Sequence, residues 1–153
     1  MSYRVPREPS TPRIAVWRKL KRLGVAQVGD GLVALPADAR TREQLEWVAE
    51  DVEQAGGSAT LWTARPESVA QERRIAAEMA AARAQEYRSL CEQAGAATSD
   101  AALPGTLRRL RAELRRIERR DHFPPPEREV ARRAVRRLAD AADAAAGRTG
   151  GPA

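Results

Sequence analysis

The chain has 153 residues, enough for one substantial core or one compact domain with a helical extension, and too few for two fully independent domains. Hydrophobic residues make up 42% of it but aromatics only 4%, so alanine supplies much of the apolar content and the expected core is thin and mostly helical. Net charge is +6; the single cysteine, Cys91, excludes an intramolecular disulfide and a cysteine-based zinc cage, and no apolar run has signal-peptide or membrane-spanning length, so a cytoplasmic, reducing setting is expected.

In chain order, Ser2 to Val5 reads as a short strand. Ser10-Thr11-Pro12 then offers a hydroxyl N-cap with proline at the first helical position. Ile14, Val16, Trp17, Leu20 and Leu23 gather on one side of a helix that Gly24 closes in the left-handed conformation. In that core-facing register, Trp17→Ala is expected to cost about 3–5 kcal/mol. The runs 25–28 and 32–35, separated by Gly29-Asp30-Gly31, predict a β-hairpin ended by Pro36. Thr41-Arg42-Glu43-Gln44 reads as a capping box opening a helix with Leu45, Val48, Ala49 and Val52 on its core face, stopped by Gly56-Gly57 before a strand at 59–63.

Beyond Pro66 the pattern is helical only. One long helix is expected over 67–94 with Gly95 as its stop, then a loop from Ala96 to Leu103. A second helix, about Pro104 to Arg120, carries the seam Leu107, Leu110, Leu114 and Ile117. Asp121-His122-Phe123 breaks into three prolines, and Pro126 starts a last helix bearing Val130, Ala134, Val135 and Leu138. The expected fold class is therefore α+β: a ferredoxin-like β-α-β-β-α-β module over 1–66, a three-helix C-terminal extension over 67–147 packed on it, and a disordered tail at 148–153.

The isoelectric point near 10.6 raises the question of a nucleic-acid partner, and the charge is unevenly spread. Residues 104–153 carry 13 basic and 7 acidic groups, against 10 and 8 in residues 1–66, which places the excess at the C-terminal end. Arg108, Arg109, Arg111, Arg115, Arg116, Arg119 and Arg120 cover nearly everything but the leucine seam of their helix. Arginine suits bidentate phosphate contacts; its stems also cover apolar surface and its heads pair with neighbouring acids, so both readings stand. If the helix follows a phosphate backbone, replacing Arg115, Arg116 and Arg119 together flattens the salt dependence of binding. Arg132, Arg133, Arg136 and Arg137 repeat the theme on the last helix.

A smaller basic triplet, Arg18, Lys21 and Arg22, occupies the side of the first helix opposite the expected Trp17 stripe, bordered by Arg13 and Lys19. It fits phosphate contact or a solvated face. Trp47 projects away from the core side of the second helix and reads either as a partner contact or as a ring packed against the C-terminal helices. No catalytic constellation is found: His122 is the only histidine, nothing near Cys91 lowers its pKa, and Gly29-Asp30-Gly31 lacks phosphate-loop spacing. A non-enzyme without cofactor or metal is expected.

The segments WRKLKRLGV at 17–25, GDGLVALP at 29–36, EQLEWVAEDVEQAGG at 43–57, EYRSL at 86–90 and RRDHF at 119–123 together resemble the N-terminal domain of the chromate resistance regulator ChrB, in order and spacing over roughly residues 2–140. A more distant similarity, in the Trp-Arg-x-Leu helix and the hairpin ending Leu-Pro, is to the ferredoxin-like module of PaaX-type repressors. The resemblance implies a DNA-associated transcriptional regulator of chromate resistance. The second, C-terminal domain of the two-domain regulators is absent from this sequence, so the implied partner is either DNA or a separate ChrB C-terminal-type protein, and no membrane. His122 stands where the family tends to place an aromatic residue.

Overall fold

The computed structural model describes residues 1–97 and 103–149. The chain falls into two compact units, Met1–Met79 and Ala80–Ala153. The long helix α3 (Val69–Ala96) contributes to both.

In the first unit β1 (Ser2–Arg4), α1 (Ser10–Leu23), β2 (Ala26–Gly29), β3 (Leu32–Ala34), α2 (Ala39–Gln54) and β4 (Ser58–Thr60) follow one another. The four strands form one antiparallel sheet in the order β2-β3-β1-β4, registered by Ser2 opposite Leu32 and by Tyr3 opposite Ala59. The hairpin expected at 25–35 is present, with a bulge between Gln27 and Gly29. Its turn depends on Gly31, whose φ of 69° is left-handed; a Cβ there would lie 2.4 Å from the Tyr3 carbonyl oxygen. The same steric demand falls on Gly57, where a Cβ would meet the Arg4 carbonyl oxygen at 2.3 Å. These two contacts let the hairpin turn and the end of α2 close on β1.

The core of this unit is Met1, Val33, Val16 and Leu20 of α1, and Leu45, Val48 and Val52 of α2. Trp17 is not part of it. Its ring is 50% exposed, as Ile14 is 42%, which corrects the expected apolar face of α1. A helix resting on strands of three or four residues beside one other helix has a narrow strip to bury, and Val16 and Leu20 fill it. The caps also differ from expectation. Pro9, with no side-chain bond, precedes α1 in place of a Ser10 hydroxyl cap. The box on α2 pairs Asp38 with Thr41, because Asp38 Oδ1 accepts from Thr41 N at 2.8 Å and Thr41 Oγ1 accepts from Asp38 N at 3.3 Å, one turn earlier than Thr41 with Gln44. β4 is shorter than 59–63.

The second unit packs the later part of α3 with α4 (Leu103–Arg119) and α5 (Glu127–Thr149). The seam Leu107, Leu110 and Ile117 is buried, with Leu114 packed against it, as its three- and four-residue steps predict. Tyr87 and Leu90 of α3 and Ala131, Ala134, Val135 and Leu138 of α5 complete the core. Two expectations are corrected here: Val130 is 43% exposed, and α5 extends through Arg148 and Thr149, helical positions where a tail was expected to begin. α3 ends at Ala96, one residue beyond the expected stop at Gly95. A glycine inside a helix costs only about 1 kcal/mol, so Gly147 does not end α5. Residues 150–153 and most of the expected 96–103 loop lie outside the described residues.

Candidate nucleic-acid interface

Helical geometry divides the α4 arginines into two stripes. Arg109, Arg116 and Arg120, at i, i+7 and i+11, all have partners: Arg109 Nη1 donates to Gln93 Oε1 at 2.7 Å, Arg116 pairs with Glu113, and Arg120 Nη2 donates to Glu86 Oε2 at 2.8 Å. Glu113 raises the Arg116 pKa still further, chiefly through their hydrogen bond. Arg108, Arg111 and Arg115, at i, i+3 and i+7, are exposed and make no hydrogen bond or ion pair with any described residue. Arg119 is exposed but not without a partner. A solvent-facing, unpaired arginine stripe can give its donors to an external anion without breaking an internal bond; the partnered stripe cannot.

On α5, Arg132 reaches across to α4, its Nε 2.6 Å from Glu118 Oε1, and its Nη1 donates to Glu129 at 2.7 Å. The Glu118 hydrogen bond is the leading cause of its raised pKa. Arg136 is one turn on from Arg132, and Arg111 and Arg115 lie seven and three residues before Glu118. They therefore share the helix sides on which the Arg132–Glu118 pair lies. Arg133, Arg136 and Arg137 are exposed and outside the ion pairs of this unit.

The α1 triplet is placed differently from its sequence reading. Arg18, Lys21 and Arg22 are exposed, but Lys21 Nζ sits 5.1 Å from the centre of the Trp17 ring. Lys21 and the tryptophan thus share one face rather than opposing each other. Lys19 is drawn off by an ion pair with Asp51. Trp47 is 59% exposed on α2, with its ring open to solvent.

Sequence reasoning missed a buried polar lattice that joins two of the segments quoted above. Tyr87, fully buried, donates its hydroxyl to Asp121 Oδ2 at 2.8 Å. Next to each of these residues, Arg120 pairs with Glu86, and Arg83 Nη2 donates to the same glutamate at 3.0 Å. Arg88 Nη1 reaches Glu127 Oε1 at 2.6 Å. Asp121 has no exposed side-chain surface and its Oδ1 has no hydrogen-bond partner, so the Tyr87 hydroxyl and Arg128, 4.0 Å from Oδ2, are its main compensation. Burial raises the Tyr87 pKa first, and Asp121 adds to it as acceptor and as charge. The only signal in the sequence is Glu-Tyr-Arg recurring as the complement of Arg-Arg-Asp, 34 residues apart, which no periodicity would expose. His122 follows in the connection to α5 and has bonding of its own. Burial raises the Cys91 thiol too, outweighing the lowering effect of Arg137, so a thiolate is disfavoured there.

The family model described as Protein ChrB, N-terminal, matches residues 13–102. The chain belongs to the ChrB N-terminal family. That membership relates it to chromate resistance. The match takes in α1, the hairpin, α2 and α3, and stops short of the arginine stripes of α4 and α5. Neither the curated proteins nor the solved structures yield a match to this chain. Among the described residues, no helix is long and apolar enough to cross a membrane, and no group of three or more His, Cys, Asp or Glu could hold a metal ion.

Proposed function

We propose that this ChrB N-terminal family protein is a cytoplasmic, non-enzymatic, DNA-associated regulator of chromate resistance whose duplex contact is the unpaired stripe Arg108, Arg111 and Arg115 with Arg136 beside it. The observation that carries the reading is the division of the α4 arginines: one set is tied internally, and a full helical stripe is left free. The strand order β2-β3-β1-β4 supports reading the first unit as a ferredoxin-like module. Each phosphate neutralised on a duplex releases condensed counterion, so replacing Arg108, Arg111 and Arg115 together with glutamine flattens the log K against log salt slope by roughly 2 to 3. The affinity for specific and non-specific duplex falls by similar factors, because backbone contacts carry no sequence information. Equal slope and affinity in a folded triple variant overturns the assignment. The comparison variant Arg109/Arg116/Arg120→Gln tests the division itself, since it removes internal bonds and is expected to lower the melting temperature more than the first triple.

A second reading is an interaction module that binds a separate ChrB C-terminal-type protein. The 59% exposed Trp47 favours it, as a large ring open to water outside the apolar core side of its helix is a common anchor for a partner. Trp47→Ala leaves duplex binding intact under the first reading and abolishes capture of that partner under the second.

A further inference from the structure

The first unit holds a cleft of about 1010 Å³ between the end of β1 and the loop after it, the turn at Asp30-Gly31, the Gly56-Gly57 turn and the outer face of α1. Three arginines from separate segments line it: Arg4 at the end of β1, Arg7 in the following loop and Arg13 in the first turns of α1. All three are exposed and none makes a hydrogen bond or ion pair with a described residue. The acidic residue in the wall is Asp30. Ile14 and Trp17, one helical turn apart, supply the apolar side, and Lys21 covers one face of the Trp17 ring.

We propose that this cleft binds an unpaired nucleotide of a single-stranded nucleic acid, with its base against Trp17 and its flanking phosphates on Arg7 and Arg13. Three observations converge on that chemistry. Three guanidinium groups from separate segments, exposed and without a carboxylate partner among the described residues, leave their donors open to an external anion. A half-exposed tryptophan beside them offers a π-face, which any base can use whatever its sequence. The ammonium of Lys21 over one face both orients the ring and adds positive charge where the strand would continue. Asp30 stands where it can accept from a base N–H while repelling a phosphate, which places the base, not the backbone, on its side of the cleft. A duplex keeps its bases stacked inside and cannot use Trp17, so this site is distinct from the α4 and α5 stripe in both location and ligand.

The test is fluorescence anisotropy with labelled oligothymidylate of about 15 nucleotides, within the length that single-strand modules cover. Trp17→Ala is expected to weaken binding by roughly 5- to 150-fold, the range for loss of one stacked base, and Trp17→Phe to retain most of it. Arg7/Arg13→Gln is expected to flatten the salt slope by about 1.4, as two single-strand phosphates lose their partners. With Trp47 and Trp62 replaced by phenylalanine, Trp17 is the sole tryptophan, and its emission is expected to be quenched on saturation. Unchanged affinity in a folded Trp17→Ala protein, unquenched emission at saturation, or absence of oligonucleotide binding at low salt overturns the proposal. So does competition by inorganic polyphosphate as effective, charge for charge, as by the oligonucleotide, since that reports charge without a base. Duplex affinity is expected to be unchanged in the Trp17 variants, which separates failure here from failure of the α4 stripe.

Discussion

The two units pair their arginines differently: in the helical unit several ion pairs cross from one helix to another, and in the sheet unit the arginine pairs stay within one helix. In the helical unit, Arg83, Arg88, Arg116, Arg120, Arg128 and Arg132 are all tied to acids, several across helix boundaries. In the sheet unit, Arg42 and Arg74 pair with Glu46 and Glu78 of their own helices, Arg4, Arg7, Arg13, Arg18 and Arg22 make no ion pair with a described residue, and the ion pair that crosses from α1 to α2 uses Lys19. The difference follows from geometry. Long helices lying side by side bring Glu86, Glu118 and Glu127 opposite basic side chains on a neighbour, whereas short strands and α1 face the many acids of α2 at a single point. Arginine content by itself therefore says little about ligand binding; what counts is which guanidinium groups the fold leaves unpaired.

The strongest way to break the comparison is through the helical core. Leu110 is fully buried at the centre of the seam, and Leu110→Ala is expected to cost about 2–5 kcal/mol in a denaturant titration. A cost below about 1 kcal/mol would mean that the polar ties, not the seam, hold this unit. Next in size is Tyr87→Phe, which removes the best hydrogen bond of a buried carboxylate and is expected to cost about 1.5–3 kcal/mol. It also carries a pH signature. The folded-state pKa of Tyr87 is raised above the ordinary value near 10, so its contribution is complete below that pH and falls away as pH rises beyond it towards the folded value. Tyr3, raised by burial, acts in the same direction. Tyr87→Phe should thus shrink, without abolishing, the alkaline loss of stability; an unchanged slope between about pH 10 and 12 would show that the hydroxyl titrates freely. The smallest effect is expected at Trp17. A half-exposed ring that leaves no cavity costs about 1 kcal/mol or less on truncation, and a loss of about 3 kcal/mol would return Trp17 to the core where periodicity first put it.

That misplacement shows how far the pattern could be read. Ile14, Trp17 and Leu20 satisfy a helical stripe on paper, and the stripe really buried is Val16 and Leu20, offset by a fraction of a turn. Hydrophobic periodicity locates a face to within about a residue in each turn, and the width actually covered depends on what lies underneath. The α4 seam was read correctly because two long helices bury a wide stripe. The basic positions were legible as residues and not as a site: the expected triple Arg115, Arg116 and Arg119 mixes the unpaired stripe with Arg116, which Glu113 holds.

By itself the sequence determined the order of strands and helices, the hairpin at Gly31, the leucine seam and the family, because these depend on local conformational preference and on short-range spacing. Only the tertiary structure decided that Trp17 and Trp47 are open to solvent, that Tyr87 meets Asp121 across 34 residues, and which arginines are spent on internal acids. Those are pairings between residues distant in the chain, and a guanidinium group is electrostatically the same in sequence whether a carboxylate or water will stand beside it.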